Sequence, residues 1–385
     1  MPRLKIVRIV TRLNIGGPAI HTVLLTAGLD KSNFESLLVC GAISSTEGDM
    51  AYYASQKEVR PLYIPQLKRE LNPLNDLIAF IKILWVIKKE NPDILHTHTA
   101  KAGSLGRLAG IAYNFFCLRQ RKIKLIHTFH GHIFDGYFNK FFTTLFILAE
   151  KGLAYFTNKI ITVSEEIKRE LISLGIAKAD KILVIPLGFE LEKFLEIVPR
   201  DQKEIVNIGI VGRLVPVKNH WLFLKAAQML RLSLANEAKP YKVKFKIVGD
   251  GELKQKLEES SLKLNIADCV EFVGWQKDLV KVYSELDIVC LTSLNEGTPV
   301  SLIEAMASAK AVIATDVGGV RDLLGQDRGI AVESNNAEAF SAALFSLLSN
   351  VTARERLGKK AREFVREKFT KQRLLRGIEE LYLNI

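Results

Sequence analysis

The chain has 385 residues, 48% apolar and 25% charged, with mean hydropathy +0.12 and a formal net charge of +12. A chain of this size can bury two ordinary cores, and the composition excludes a disordered or fibrous protein. The four cysteines, Cys40, Cys117, Cys269 and Cys290, are scattered and form no C-x-x-C. That excludes a zinc ribbon or disulfide framework and points to buried thiols in a reducing compartment.

In the first segment, MPRLKIVRIVTRL, charges at 3, 5, 8 and 12 interrupt any signal-peptide core, so it reads as a strand. Runs such as 77–81 and 145–149 fall far short of the ~20 apolar residues a transmembrane helix needs. A cytoplasmic protein is expected. The positive charge is uneven: residues 1–190 hold 25 Lys and Arg against 16 Asp and Glu, net +9, which leaves +3 for the rest. A nucleic-acid partner is not expected, since no RNP-like, helix-turn-helix or zinc-finger pattern accompanies that charge. An anionic membrane surface or phosphorylated lipid fits it better, which would place the protein peripherally on the inner face of the cytoplasmic membrane.

Residues 4–10 predict a strand, 11–18 a glycine loop and the next stretch a helix through Ala27. Gly16 and Gly17 permit close backbone approach to a ligand, and Pro18 suits a first helical turn. Strands follow at 36–40 and 59–64, then an amphipathic helix at 74–90. The strand 93–98 carries His96 and His98 at its carboxyl end, where open α/β sheets bind ligands. A helix through Tyr113, a basic run (Arg119, Arg121, Lys122, Lys124) and a strand at 124–128 lead into His127-Thr128-Phe129-His130-Gly131-His132. An aromatic-rich helix is expected at 134–153, then a strand at 159–164, a helix at 165–174 and a strand at 181–186. Residues i and i+2 of a strand face one way, so each H-x-H pair could hold a metal, as in a metal-dependent hydrolase. Only Asp93 and Asp135 stand near as carboxylates, which argues against it.

The pattern restarts at 205–211, with Gly212 to Asn219 as the loop before a helix capped by Asn219. Arg213 and Lys218 are two cations at that strand end. Strands follow at 243–248, 270–275, 287–293 and 311–315, and 352–385 reads as charged helix. Alternating strands and helices predict two parallel, doubly wound sheets.

The densest chemistry lies in 290–322. Glu296 and Glu304 form an E-x7-E pair, with Thr298 expected as N-cap and Pro299 as the first helical residue. The free N–H groups of the first turn make a phosphate site, and a carboxylate can accept both hydrogen bonds of a vicinal diol. Two acids flanking such a cradle suit a ribose on one side and a hexose on the other.

The run S-L-N-E-G-T-P-V-S-L-I-E-A-M-A resembles the signature of retaining glycosyltransferases of family 4. Their fold is GT-B, two facing Rossmann-like domains. The resemblance implies transfer of a hexosyl group from a nucleoside diphosphate sugar, foremost a UDP-sugar, to a hydroxyl acceptor in a lipid-linked or cell-envelope glycan. A nucleotide-sugar epimerase on the same fold is the alternative. The resemblance gives Glu296 to the donor sugar and Glu304 to the ribose, and places Gly16 and Gly17 along the donor diphosphate. Gly212-Arg213 and Lys218 match the loop that neutralises the leaving group, and Val273-Gly274-Trp275 the loop under the base. Gly297, Thr298, Pro299 and Val300 complete the donor site. His130 matches the active-site histidine, with His98, His127 and His132 on the acceptor side. His130, Arg213, Lys218 and Glu296 are thus the catalytic candidates. No D-x-D occurs, so cations in place of a metal are expected, with no cofactor. No acceptor-side carboxylate stands out as a nucleophile, which favours same-face displacement over a covalent intermediate. The expected domains are 1–190 for the acceptor, 191–365 for the donor, and 366–385 as a helix crossing back to the first.

Overall fold

The computed structural model describes residues 3–14, 16–43, 48–116, 122–131, 140–198, 205–235 and 241–385, with the backbone alone at 140–142. Contacts divide it into two compact units: Met1–Phe189 with Lys371–Ile385, and Glu190–Thr370.

The first unit is built on β1 (Leu4–Val10), β2 (Phe34–Gly41), β3 (Leu62–Ile64), β4 (Ile94–His98), β5 (Lys124–Phe129), β6 (Lys159–Thr162) and β7 (Ile182–Val184). Their order is β3-β2-β1-β4-β5-β6-β7, and each pairing is parallel. Strand alternation sorts the core to two faces. Val7, Ile9 and Leu95 pack with Ala79, Ile83 and Ala109 on one side. Ile6, Ile94 and Ile126 pack with Leu25, Leu374 and Ile378 on the other. The chain reverses its direction across the sheet between β1 and β4, so their carboxyl ends form the crevice where this architecture takes ligands.

The second unit repeats the plan with β8 (Ile205–Val211), β9 (Lys242–Val248), β10 (Val270–Gly274), β11 (Ile288–Leu291), β12 (Ala311–Thr315) and β13 (Ile330–Val332). The order is β10-β9-β8-β11-β12-β13, again parallel, with the switch between β8 and β11.

Several elements differ from expectation. The strand expected at 59–64 shortens to Leu62–Ile64, because Val59 N–H donates back to the Ala54 carbonyl at the end of the helix Ala51–Gln56 (2.9 Å) and Pro61 has no N–H to give a sheet. The helix expected at 134–153 runs Lys140–Phe156, and its expected beginning lies outside the described residues. β13 and the helix Ala337–Ser349 carried no signal strong enough to be read. The terminal helical stretch is two helices, Val351–Lys368 and Lys371–Leu383. The first buries Leu357, Ala361 and Val365 in the second unit, and the other adds Leu374, Ile378, Leu381 and Tyr382 to the first unit. The exchange therefore falls at 370/371, later than the boundary read from sequence. There Lys371 N–H donates to the Phe189 carbonyl at 3.0 Å, and Arg373 Nη2 donates to the carbonyls of Pro186 and Leu187 at 2.6 and 2.7 Å.

Candidate active site

In the second unit, the loop after β8 is tied at several points to its neighbours. Gly212 N–H donates to the Val248 carbonyl (2.9 Å) and Leu214 N–H to that of Asp250 (2.9 Å). A Cβ at Gly249, whose φ is +140°, would stand 1.9 Å from the Gly212 carbonyl oxygen, so only glycine permits this approach. The Gly249–Gly251 segment is therefore a packing turn, and the helix beyond it starts at Lys254 with Leu253 at its N-cap. After a short 3₁₀ turn at Pro216–Lys218, Asn219 takes φ +47° and opens the helix His220–Leu234. It makes no capping bond, because the left-handed backbone turns its amide to Asn335 Oδ1 at 2.9 Å.

Arg213 is exposed, and among the described residues its side chain makes no hydrogen bond or ion pair, while its carbonyl accepts the Val215 N–H at 3.0 Å. Lys218 instead forms an ion pair with Glu296 Oε1, which also accepts the Ser293 hydroxyl at 2.6 Å. Backbone ties hold the two loops together: Thr292 Oγ1 donates to the Lys218 carbonyl (3.0 Å), and Leu294 N–H to that of Val217 (2.8 Å). The candidate cation and acid thus meet at the carboxyl ends of β8 and β11, the switch point of this sheet.

The helix after Glu296 is Val300–Ala307, and its N-cap is Pro299, not Thr298. Pro299 is itself extended at ψ 109°, so it takes the half-in N-cap position and the first helical residue is Val300, one later than expected. No side chain caps this helix, so its first-turn N–H groups are free of side-chain competition for an anion. Gly318 and Gly319 seat the acid loop. A Cβ on either would lie 1.9 Å from a carbonyl oxygen, of Glu296 and Gly297 respectively, and Gly319 N–H donates to the Glu296 carbonyl at 3.1 Å.

Glu304 lies on the helix, where the buried Tyr283 hydroxyl donates to its Oε2 (3.1 Å) and to the Ser301 carbonyl (2.9 Å). Burial pushes the Glu304 carboxyl up to about 7, against the Tyr283 hydrogen bond that lowers it. Tyr283 was not found from sequence, since one tyrosine on a short helix carries no spacing signal. Gly274 ends β10 at φ +75°, its carbonyl accepting Gly249 N–H (2.9 Å), with Val273 half-buried before it and Trp275 exposed beyond it.

In the first unit, Gly16 precedes the helix Gly17–Gly28, whose N-terminus also lacks a side-chain cap. The histidines separate by sheet face. His127 packs beneath the helix Ala100–Phe116, where a Cβ at Gly103 would lie 2.5 Å from its Cε1, and it bonds Thr97 Oγ1 at 2.9 Å. It was expected on the acceptor side, but the alternation of β5 turns it to the face opposite Ile126, against that helix and away from His98 and His130. His98 Nδ1 and His130 Nε2 are 3.0 Å apart. His21 joins them edge-on, at ring separations of 5.5 and 4.9 Å, a third member that sequence spacing could not supply. His96 is committed elsewhere, to the Tyr382 hydroxyl (2.6 Å) and Thr128 Oγ1 (2.7 Å), so it does not pair with His98 as a ligand. His132 lies outside the described residues. Ligand nitrogens of His21, His98 and His130 all lie within 4.8 Å of one another, a set that could accept a cation. Burial pushes His130 down to about 3, and His21 and His98 well below their ordinary value. At neutral pH all three are uncharged imidazoles.

Residues 192–364 match the model for glycosyl transferases group 1, and residues 15–193 that for glycosyltransferase family 4. The chain belongs to the group 1 glycosyltransferases. This glycosyltransferase is 29% identical over 327 residues to an Escherichia coli UDP-Gal:alpha-D-GlcNAc-diphosphoundecaprenol alpha-1,3-galactosyltransferase, covering 82% of this chain and 80% of that one. It is 27% identical over 312 residues to a Campylobacter jejuni N,N'-diacetylbacillosaminyl-diphospho-undecaprenol alpha-1,3-N-acetylgalactosaminyltransferase, covering 76% and 78%. Among solved structures, HepE of Anabaena in complex with UDP superposes with TM-score 0.80 at 17% identity, over 99% of this chain and 100% of that one. The two parallel-sheet, Rossmann-like units and these neighbours agree with the GT-B class expected from sequence. They give no support to an epimerase or a metal-dependent hydrolase.

Proposed function

We propose that this glycosyltransferase moves a hexosyl group from a UDP-sugar to a hydroxyl of a lipid-linked glycan precursor, with retention of anomeric configuration. The observation that carries this reading is the meeting of Lys218 and Glu296 at the switch point of the second sheet, beside the uncapped helix Val300–Ala307. The Escherichia coli relative, which by name uses UDP-Gal and a diphosphoundecaprenol-linked acceptor, supports the substrate classes.

When the bond from the anomeric carbon to the diphosphate breaks, negative charge grows on the leaving oxygen and positive charge on the sugar. Arg213, Lys218 and the helix N–H groups stabilise the former. The acceptor oxygen bonds to the same face, and its proton passes to the departing phosphate. Glu296 accepts hydroxyls of the sugar and Glu304 those of the ribose, along the backbone of Gly212, Gly297, Thr298 and Pro299. Gly16 and Gly17 serve the diphosphate. His130, neutral at working pH, can donate one hydrogen bond to a substrate oxygen without adding a charge. No metal is required in this scheme.

Among the described residues no helix is long and apolar enough to cross a membrane. A lipid-linked acceptor and the first unit's charge favour a peripheral place on an anionic cytoplasmic membrane surface. The deciding experiment is a transfer panel pairing UDP- and GDP-sugars with polyprenyl-diphosphate-linked sugar acceptors. UDP-dependent extension of the acceptor with an alpha linkage is expected. Altered donor sugar in the absence of acceptor would overturn the reading in favour of epimerisation.

A further inference from the structure

The helix Pro73–Glu90 buries one face and leaves an equally apolar face in water. Ala79, Ile83, Val86 and Ile87 are buried, yet Leu74, Leu77, Ile81 and Trp85 are 68, 56, 55 and 58% exposed. At 3.6 residues per turn these four occupy an arc of roughly 80°. Apolar surface on both sides marks a helix that meets a second apolar phase.

The charges around the stripe identify that phase. Lys82 and Lys89 border it, Lys88 follows at its end, and all three are exposed. The Lys89 ammonium stands 5.2 Å over the Trp85 ring. The helix's two acids are turned into the protein: Asp76 pairs with Lys101 at 2.6 Å, and Glu90 with Lys5 at 2.9 Å. The face is therefore apolar with cations alone. The Tyr113 hydroxyl, 3.2 Å from Asn91 Oδ1, brings the end of the neighbouring helix alongside, where Phe115 and Phe116 are exposed.

We propose that this face docks on an anionic phospholipid leaflet, the helix lying in the interface with its apolar stripe at the acyl boundary and its lysines among the phosphates. Interfacial helices have this composition, with an apolar stripe and long cationic side chains that snorkel to the headgroups. A second copy of the chain is a poorer occupant, because joining two such faces would bring like lysines together. The proposal rests on the membrane-surface reading above and places its centre on this helix, not on the basic run at 119–124. Arg119 and Arg121 of that run lie outside the described residues.

The test is co-sedimentation of the full chain with vesicles of phosphatidylcholine alone or mixed with phosphatidylglycerol. Binding to the mixed vesicles, release by high salt and quenching of Trp85 by brominated acyl chains are expected. Lys82, Lys88 and Lys89 changed together to Gln should weaken partitioning by about a hundredfold. Ile81→Asp should abolish the quenching and leave the melting temperature unchanged, the side chain being exposed. If the wild type ignores mixed vesicles, the membrane reading itself falls. If it binds but Ile81→Asp and the lysine variant bind equally well, the reading stands and this helix is wrong. A concentration-dependent dimer that Ile81→Asp dissolves would overturn the proposal in favour of self-association.

Discussion

Lys218 and Glu296 are paired to one another, so the cation assigned to the leaving group rests on the acid assigned to the sugar. In the proposed scheme a diphosphate would give Lys218 a partner of higher charge and release Glu296 Oε1, to which the Ser293 hydroxyl donates at 2.6 Å. Lys218→Ala or Arg213→Ala is expected to lower transfer by ~10²–10³, the usual effect of deleting one electrostatic donor to a developing anion. Arg213 is exposed, so its loss should leave the melting temperature unchanged. Turnover at saturating donor, with stability measured in parallel, checks this, and wild-type rates in either variant would remove that cation from the mechanism.

Transfer is expected to survive EDTA, because the proposed leaving-group stabilisers are side chains and backbone N–H groups. The competing site is specific: His21, His98 and His130 present nitrogens close enough to share a cation. Loss of activity on chelation, restored by zinc and abolished in His21→Ala, would make that cluster a metal centre and end the proposed role of His130 as a free imidazole.

The strands that place the candidate site were legible because β-branched runs end in glycine loops. Ile205–Val211 before Gly212 is such a case, and local pattern sufficed. What escaped depends on contacts between distant residues. His21 reaches His130 only because β1 and β4 are neighbours, and Tyr382 reaches His96 only because the last helix returns to the first unit. The need for glycine at 318 is set by a carbonyl 22 residues earlier, at Glu296. Thr298 is displaced as the cap because Pro299 stays extended at ψ 109°, a backbone choice that the local sequence, with proline equally suited to a first helical position, does not reveal.

Tyr283→Phe is expected to weaken donor binding in a pH-dependent way. The Tyr283 hydroxyl lowers the Glu304 pKa, which burial holds at about 7, so deleting it moves that pKa higher. An ionised Glu304 is the better acceptor for a ribose diol. Affinity for UDP, measured calorimetrically from pH 6 to 9, should therefore reach its plateau at higher pH in the variant than in wild type. An unchanged profile would show that Glu304 ionisation plays no part in holding the nucleotide.

Acid is expected to unfold the first unit before the second. His21, His96, His98 and His127 are held well below the ordinary histidine value by burial, and His130 falls to about 3. Below about pH 6.5 the unfolded chain binds protons at these positions while the folded unit does not. Stability is therefore full above that pH and declines as pH falls, by up to ~1.4 kcal/mol per pH unit for each histidine. In the second unit His220, lowered to about 4, acts in the same direction, but Glu304, raised to about 7, takes up its proton earlier when folded and offsets it. Hydrogen exchange resolved by peptide, at pH 7 and pH 5, should show protection lost first in β4 and β5 and kept in β8 and β11. Equal loss in both units would mean that the buried histidines do not set the acid limit.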